Sequence, residues 1–268
     1  MKSNRLLHPF RLQNIIIGFL LLAGIISCQK ELHFDKLPEK DHNLVLQFKP
    51  VVQYDSNDLV FGQSYTNFFN QAFTVNTFKF YIHGIELINT DSNKIFQISN
   101  DNYFLVDLSD SATARVQIAV LPYTYNRIAF TIGVDSARNV SGAQTGALDP
   151  ANGMFWTWSS GYIMAKLEGT SPASTAPGQV FEYHIGGFQE PDNVIKKVTL
   201  LFPFASNVEL APGKTTEMKI AADAYDWFYN PHDIRFNINP VITTPGPLAK
   251  QVAENYSKMF TVVDIINE

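Results

Sequence analysis

The residues best suited to chemistry lie between Gly133 and Gly187. The stretch from Gly133 to Gly153, GVDSARNVSGAQTGALDPANG, is rich in Asp, Asn, Ser and Gly. Asp135 and Asp149, with Asn139 and Asn152, carry oxygen donors of the kind a hard cation such as calcium takes. Their spacing does not match an EF-hand loop, and turns select the same residue types, so turn chemistry outweighs a cation site. Met154, Trp156 and Trp158 come next and, read as a strand, share one face; packing in a core produces the same pattern. Further along, His184 lies in FEYHIGG on a face with Val180 and Glu182, while Phe181, Tyr183 and Ile185 take the other. Gly186 and Gly187 let the backbone beside His184 pass close to a neighbour. A lone histidine is more often a surface or core residue than a ligand. The strings G-x-S-x-G, H-E-x-x-H, G-x-G-x-x-G and the P-loop are all missing, so no catalytic turnover is expected.

A second reactive group is Cys28, the single cysteine. Lys2, Arg5 and Arg11 precede a continuous apolar run from Ile15 to Ile26, which is shorter than a membrane span requires. Ile25-Ile26-Ser27-Cys28 then ends the run, which is the pattern of a lipoprotein signal peptide over residues 1–27 with Cys28 as the acylated residue. Gln29 rather than Asp after the cysteine favours the outer membrane of a Gram-negative envelope. With Cys28 acylated, the exported domain has no disulfide and no thiolate ligand. Removing residues 1–27 takes three bases and no acids, which moves the formal charge from −5 to −8 and argues against nucleic acid as a partner.

These groups need a scaffold. Residues 28–43 read as a charged tether, and 44–268 as one β domain. Alternation marks strands at Leu44–Phe48, Thr77–Ile88, Tyr103–Leu108, Asn126–Val134, Met154–Leu167, Val180–Ile185, Val198–Phe204 and Thr215–Ala221, with Gly, Pro, Asp and Asn between them. Phe78, Phe80 and Ile82 alternate with Lys79, Tyr81 and His83. Two short helices are expected, at Asp223–Tyr229 and, behind Pro245-Gly246-Pro247, along Leu248, Val252, Tyr256 and Met259. The fold class is therefore mainly β, an antiparallel sandwich or barrel-like domain with a short C-terminal helix.

The strings GALDPANGMFWTWSSGYIMAKLEG and FEYHIGG, together with FKFYIHGIEL and GPLAKQVAENYSKMF, resemble the MbnP-like family over nearly the whole domain, from about Leu44 to Phe260. The resemblance implies an extracytoplasmic protein associated with copper. It implies that copper is held by histidine together with a tryptophan oxidised to kynurenine by a di-haem, MauG-like partner enzyme. Carried over residue by residue, it points to His184 as a ligand and to Trp156 or Trp158 as the modified residue. Pro50 stands where relatives often have a histidine after the first strand, and His83 stands where they often have a serine, which makes His83 the next candidate ligand. A structural or glycan-binding surface module, with the Trp pair serving only as core, is the rival expectation.

Overall fold

The computed structural model describes residues 39–52, 57–98, 102–158 and 161–268. The signal segment 1–27, Cys28 and the tether as far as Pro38 lie outside the described residues. The strands in chain order are β1 (His42–Val52), β2 (Asn57–Asp58), β3 (Ser64–Thr66), β4 (Ala72–Asn89), β5 (Lys94–Gln97), β6 (Phe104–Asp107), β7 (Arg115–Val120), β8 (Tyr123–Tyr125), β9 (Arg127–Ile132), β10 (Phe155–Trp156), β11 (Gly161–Thr170), β12 (Val180–Gly186), β13 (Lys196–Leu201), β14 (Val208–Leu210), β15 (Thr215–Asp223), β16 (Val241–Ile242) and β17 (Phe260–Asn267). Two α-helices accompany them, α1 (Ser136–Val140) and α2 (Pro247–Tyr256).

Two sheets pack face to face. In the first, β17, β15 and β1 are neighbours, and β7 and β2 pair with β1. In the second, the order is β13, β9, β4, β11, β12 and β16. The antiparallel expectation needs correction, since β1 runs parallel to β15 and β12 parallel to β16. The aromatics of alternate positions meet between the sheets: the Phe48 ring lies 5.5 Å from Phe80, 6.1 Å from Phe130 and 5.9 Å from Phe260, in edge-on geometry. Such contacts add specific geometry to a large burial of apolar area.

The 18-residue strand β4 organises the second sheet. One of its edges pairs first with β11, through Thr74–Phe80, and then with β9, through Ile82–Ile88. Its other edge takes β3, β6 and β5. The sheet thus forks where β11 leaves off and β9 begins. The excursion from Val134 to Trp158 lies over the fork: Gly133 N donates to Tyr81 O (2.9 Å), Val134 N to Met164 Sδ (3.1 Å), and Tyr81 and Tyr162 meet edge-on.

Several element expectations change. The tether stops at Asp41, because His42 and Asn43 already belong to β1; the His42 ring is held between Ala211 O and the Thr216 hydroxyl. The helix over Asp223–Tyr229 is one 3₁₀ turn, Ala224–Trp227, capped by the Asp223 carboxylate on Tyr225 N. Helix α2 stands where Pro247 allows it to begin and buries Ala249, Val252, Ala253 and Tyr256, which recur at helical spacing. Strands β2, β3, β5, β7, β8, β14, β16 and β17 are additions to the expected set.

Candidate functional site

Strands β11 and β12 form a hairpin with Lys166 opposite His184 and Glu168 opposite Glu182. On the far side of β11, Lys79 of β4 stands opposite Lys166. The polar residues of three strands therefore share the outer face of the second sheet, while Phe181, Tyr183 and Ile185 are fully buried on the inner one. His184 Nε2 lies 2.6 Å from Glu168 Oε1. That bond holds the Glu168 carboxyl down at about 2; burial opposes it, and Thr77 and Lys166 reinforce it. Lys166 Nζ donates to Gly153 O (2.7 Å), which ties the excursion to this face. Lys79 pairs with Asp107 at 2.8 Å.

Trp156 reaches the same place by a different route. β10 pairs with β11 through Phe155 opposite Tyr162 and Trp156 opposite Gly161. This lays the Trp156 ring over Gly186: a Cβ added there would stand 2.5 Å from Trp156 Cζ3 and 2.8 Å from Tyr162 O. Gly186 is two residues beyond His184 on the same face of β12, so the neighbour that this glycine accommodates is Trp156. Trp156 is 6% exposed and Trp158 is 64% exposed, with ring centroids 5.5 Å apart. The expected single face of Met154, Trp156 and Trp158 is corrected here, because the strand ends at Trp156 and Trp158 sits in the turn that follows. Beside Trp156 opens a cleft of about 360 Å³, lined also by Asn139, Phe188, Gln189, Glu190 and Asp192.

His83 belongs to a separate cluster. It is buried, its Nδ1 donates to Gly133 O (3.0 Å), and its ring stacks on Tyr103 at 4.8 Å. Burial lowers its pKa, against the Gly133 hydrogen bond and the charge of Asp135, which favours the neutral imidazole. Tyr103 donates its hydroxyl to Asp135 Oδ2, and Asp135 Oδ1 caps α1 on Arg138 N (2.9 Å). Asp149 caps the 3₁₀ turn at Pro150 on Ala151 N (2.8 Å). Both aspartates are thus engaged in turn and cap chemistry. From His184, His83 lies two strands across and four residues along, roughly 16 Å by sheet spacing. Among the described residues, no three His, Cys, Asp or Glu side chains converge as a metal site.

Pro50 lies in β1 opposite Ala222. His232 is half-buried and bonded to Glu254 of α2 at 2.6 Å. The residue that sequence reasoning missed is Glu168; the signal was available in MAKLEG, since pairing that strand with FEYHIGG as a hairpin sets Glu168 diagonal to His184. No helix among the described residues is long and apolar enough to cross a membrane.

Against known proteins, the family model MbnP matches residues 41–244. Among solved structures, MbnP from Methylosinus trichosporium is similar, with 16% identity, a TM-score of 0.48, and coverage of 77% of this chain and 82% of that one. No curated protein matches the chain.

Proposed function

The chain belongs to the MbnP family, and on that premise we propose that it is an envelope lipoprotein that holds copper without catalytic turnover, with His184 as the first ligand and Trp156, opened to kynurenine, as the source of the second. The observation that carries this reading is the packing of Trp156 over Gly186, next to His184 on one face of β12. As encoded, that face offers one imidazole, and an indole has no lone pair for a metal. The donor set fits copper once the indole ring is opened, because an aromatic amine and a carbonyl then stand where there was only an N–H. Glu168 fixes the orientation of the imidazole through Nε2, which leaves Nδ1 as the ligand atom; carboxylates commonly play this supporting part behind metal-bound histidines. Bound there, copper would supply a soft cation held by nitrogen donors.

Cleavage of the indole C2–C3 bond adds two oxygens in a four-electron oxidation, and hydrolysis of the resulting N-formyl group releases C2 as formate, for a net gain of one oxygen and loss of one carbon; the oxidant, hydrogen peroxide or dioxygen, we assign to a di-haem, MauG-like enzyme. Trp158 is the exposed member of the pair and lies within ring contact of Trp156, so an oxidant at the surface meets Trp158 first. The reading is tested by copper titration of protein from its native host and by peptide mass spectrometry across Met154–Lys166. The expected mass is that of one kynurenine at Trp156. His184→Ala should weaken Cu(I) binding at least tenfold, about 1.4 kcal/mol. Unmodified tryptophans in cells expressing such an enzyme, or unchanged affinity in a folded His184→Ala protein, would overturn it. The aromatic and amide-lined cleft beside Trp156 favours a second reading, glycan binding, which the same protein without copper would reveal by saccharide titration.

A further inference from the structure

Phe204 is fully exposed, at the tip between β13 and β14. Ala205 N donates to Phe202 O (3.0 Å) and Ser206 N to Pro203 O (3.1 Å), so two tight turns overlap there. Phe204 and Ala205 have φ of 57° and 52°, a region that favours Gly or Asn. Neither packing nor backbone preference accounts for a phenylalanine at this position.

Its place in the fold supplies a reason. Phe202 N donates to Asn126 O at the head of β9, and β14 pairs with β8 from Val208 opposite Tyr125 to Leu210 opposite Tyr123. Ala211 O then meets the His42 ring, and Gly213 N donates to Asp41 O. The β4–β5 tip joins this rim through Asn207 to Asp91 (2.8 Å) and Tyr123 to Ser92 (3.2 Å). The described chain therefore begins on the rim that carries Phe204, where Leu201, Tyr123 and Ile95 are also exposed. Only ten residues separate Cys28 from Glu39, a span of at most about 40 Å when fully extended.

We infer that this rim is the membrane-facing end of the domain and that the Phe204 ring enters the apolar layer of the leaflet to which Cys28 is anchored. The inference rests on the lipoprotein reading above. Lys40, Lys94, Arg127 and Lys214 on the rim stand among Asp41, Asp91 and Glu209, a near-balance of charge, so the ring carries the contact, and it should withstand salt. A side chain at this level sits in the headgroup and acyl boundary.

The test couples the mature chain through Cys28 to maleimide-headed lipid in phosphatidylcholine vesicles with brominated acyl chains. Phe204→Trp and, as a comparison, Val140→Trp each add one emitter; Val140 is exposed on α1, beyond the opposite end of β9. Bromolipid should reduce the emission added at 204 and leave that added at 140 unchanged, in low and in high salt. No quenching at 204, equal quenching at both positions, or quenching at 204 only in low salt, would overturn the inference. A folded spectrum in the near-ultraviolet validates each variant. The mass of the native N-terminus reports acylation separately, so failure of the lipoprotein reading is distinguished from failure of the contact.

Discussion

Single atoms decide the arrangement around Trp156. A methyl group at Gly186 would stand 2.5 Å from the indole and 2.8 Å from a carbonyl oxygen, and overpacking of this kind costs roughly 1–3 kcal/mol. Gly186→Ala should therefore lower the melting temperature and shift tryptophan emission to the red as Trp156 is pushed toward water; unchanged emission would show that the ring does not rest there. Gly186 was legible in the sequence as a place of close approach, but what approaches it was not, because the contact depends on the two-residue pairing of Trp156 with Gly161. The Lys79–Asp107 pair on the same face offers a pH test. Burial pushes Asp107 up, but hydrogen bonds from Lys79 and Ser109 pull it further down, so the net pKa is lowered. A carboxylate whose pKa falls on folding contributes stability above its unfolded value, near 4, and loses it as pH drops through the lowered one. Asp107→Asn should cost on the order of 1 kcal/mol at pH 7 and progressively less as the pH falls below 4 toward the lowered pKa, as denaturant titrations over that range would show.

At the scale of elements, the turn at Phe204 and the strand end at Trp156 show how local backbone overrides side-chain pattern. Alternation alone places Met154, Trp156 and Trp158 together, yet the chain turns after Trp156 and leaves one indole buried and the other in water. Alternation says nothing about where a strand must stop to let a loop return over a forked sheet. The strands around it were readable because β4, β9, β11, β12 and β15 each bury one apolar face; β7, absent from the expected set, carries the same signal, with Val116, Ile118 and Val120 buried and Arg115, Gln117 and Ala119 exposed. The turn makes its own prediction. A left-handed backbone costs an L-residue about 1–2 kcal/mol that glycine avoids, so Phe204→Gly should raise stability by about 1 kcal/mol in chemical denaturation. A loss instead would mean that the ring packs on the domain in solution.

For the molecule as a whole, the last element bears the largest load relative to its visibility. The family match ends at residue 244, and α2 and β17 follow it. Yet β17 pairs with β15 from Phe260 opposite Ala222 to Asn267 opposite Thr216. The Phe260 ring lies 5.1 Å from both Phe80 and Phe130 of the facing sheet. Tyr256 and Val252 of α2 are fully buried, and Trp227 Nε1 donates to Met259 Sδ at 3.3 Å. A chain ending at Thr244 would expose the centre of both sheets and leave β15 as a bare apolar edge, which invites aggregation. Such a chain should be insoluble or lack a cooperative transition, whereas removal of Ile266–Glu268, which are exposed, should cost little. Phe260→Ala in the full chain separates side-chain packing from strand pairing and should cost about 3–5 kcal/mol. A cooperative melt from the chain ending at Thr244 would show that the matched region folds alone, with the C-terminal strand an addition laid on a finished core.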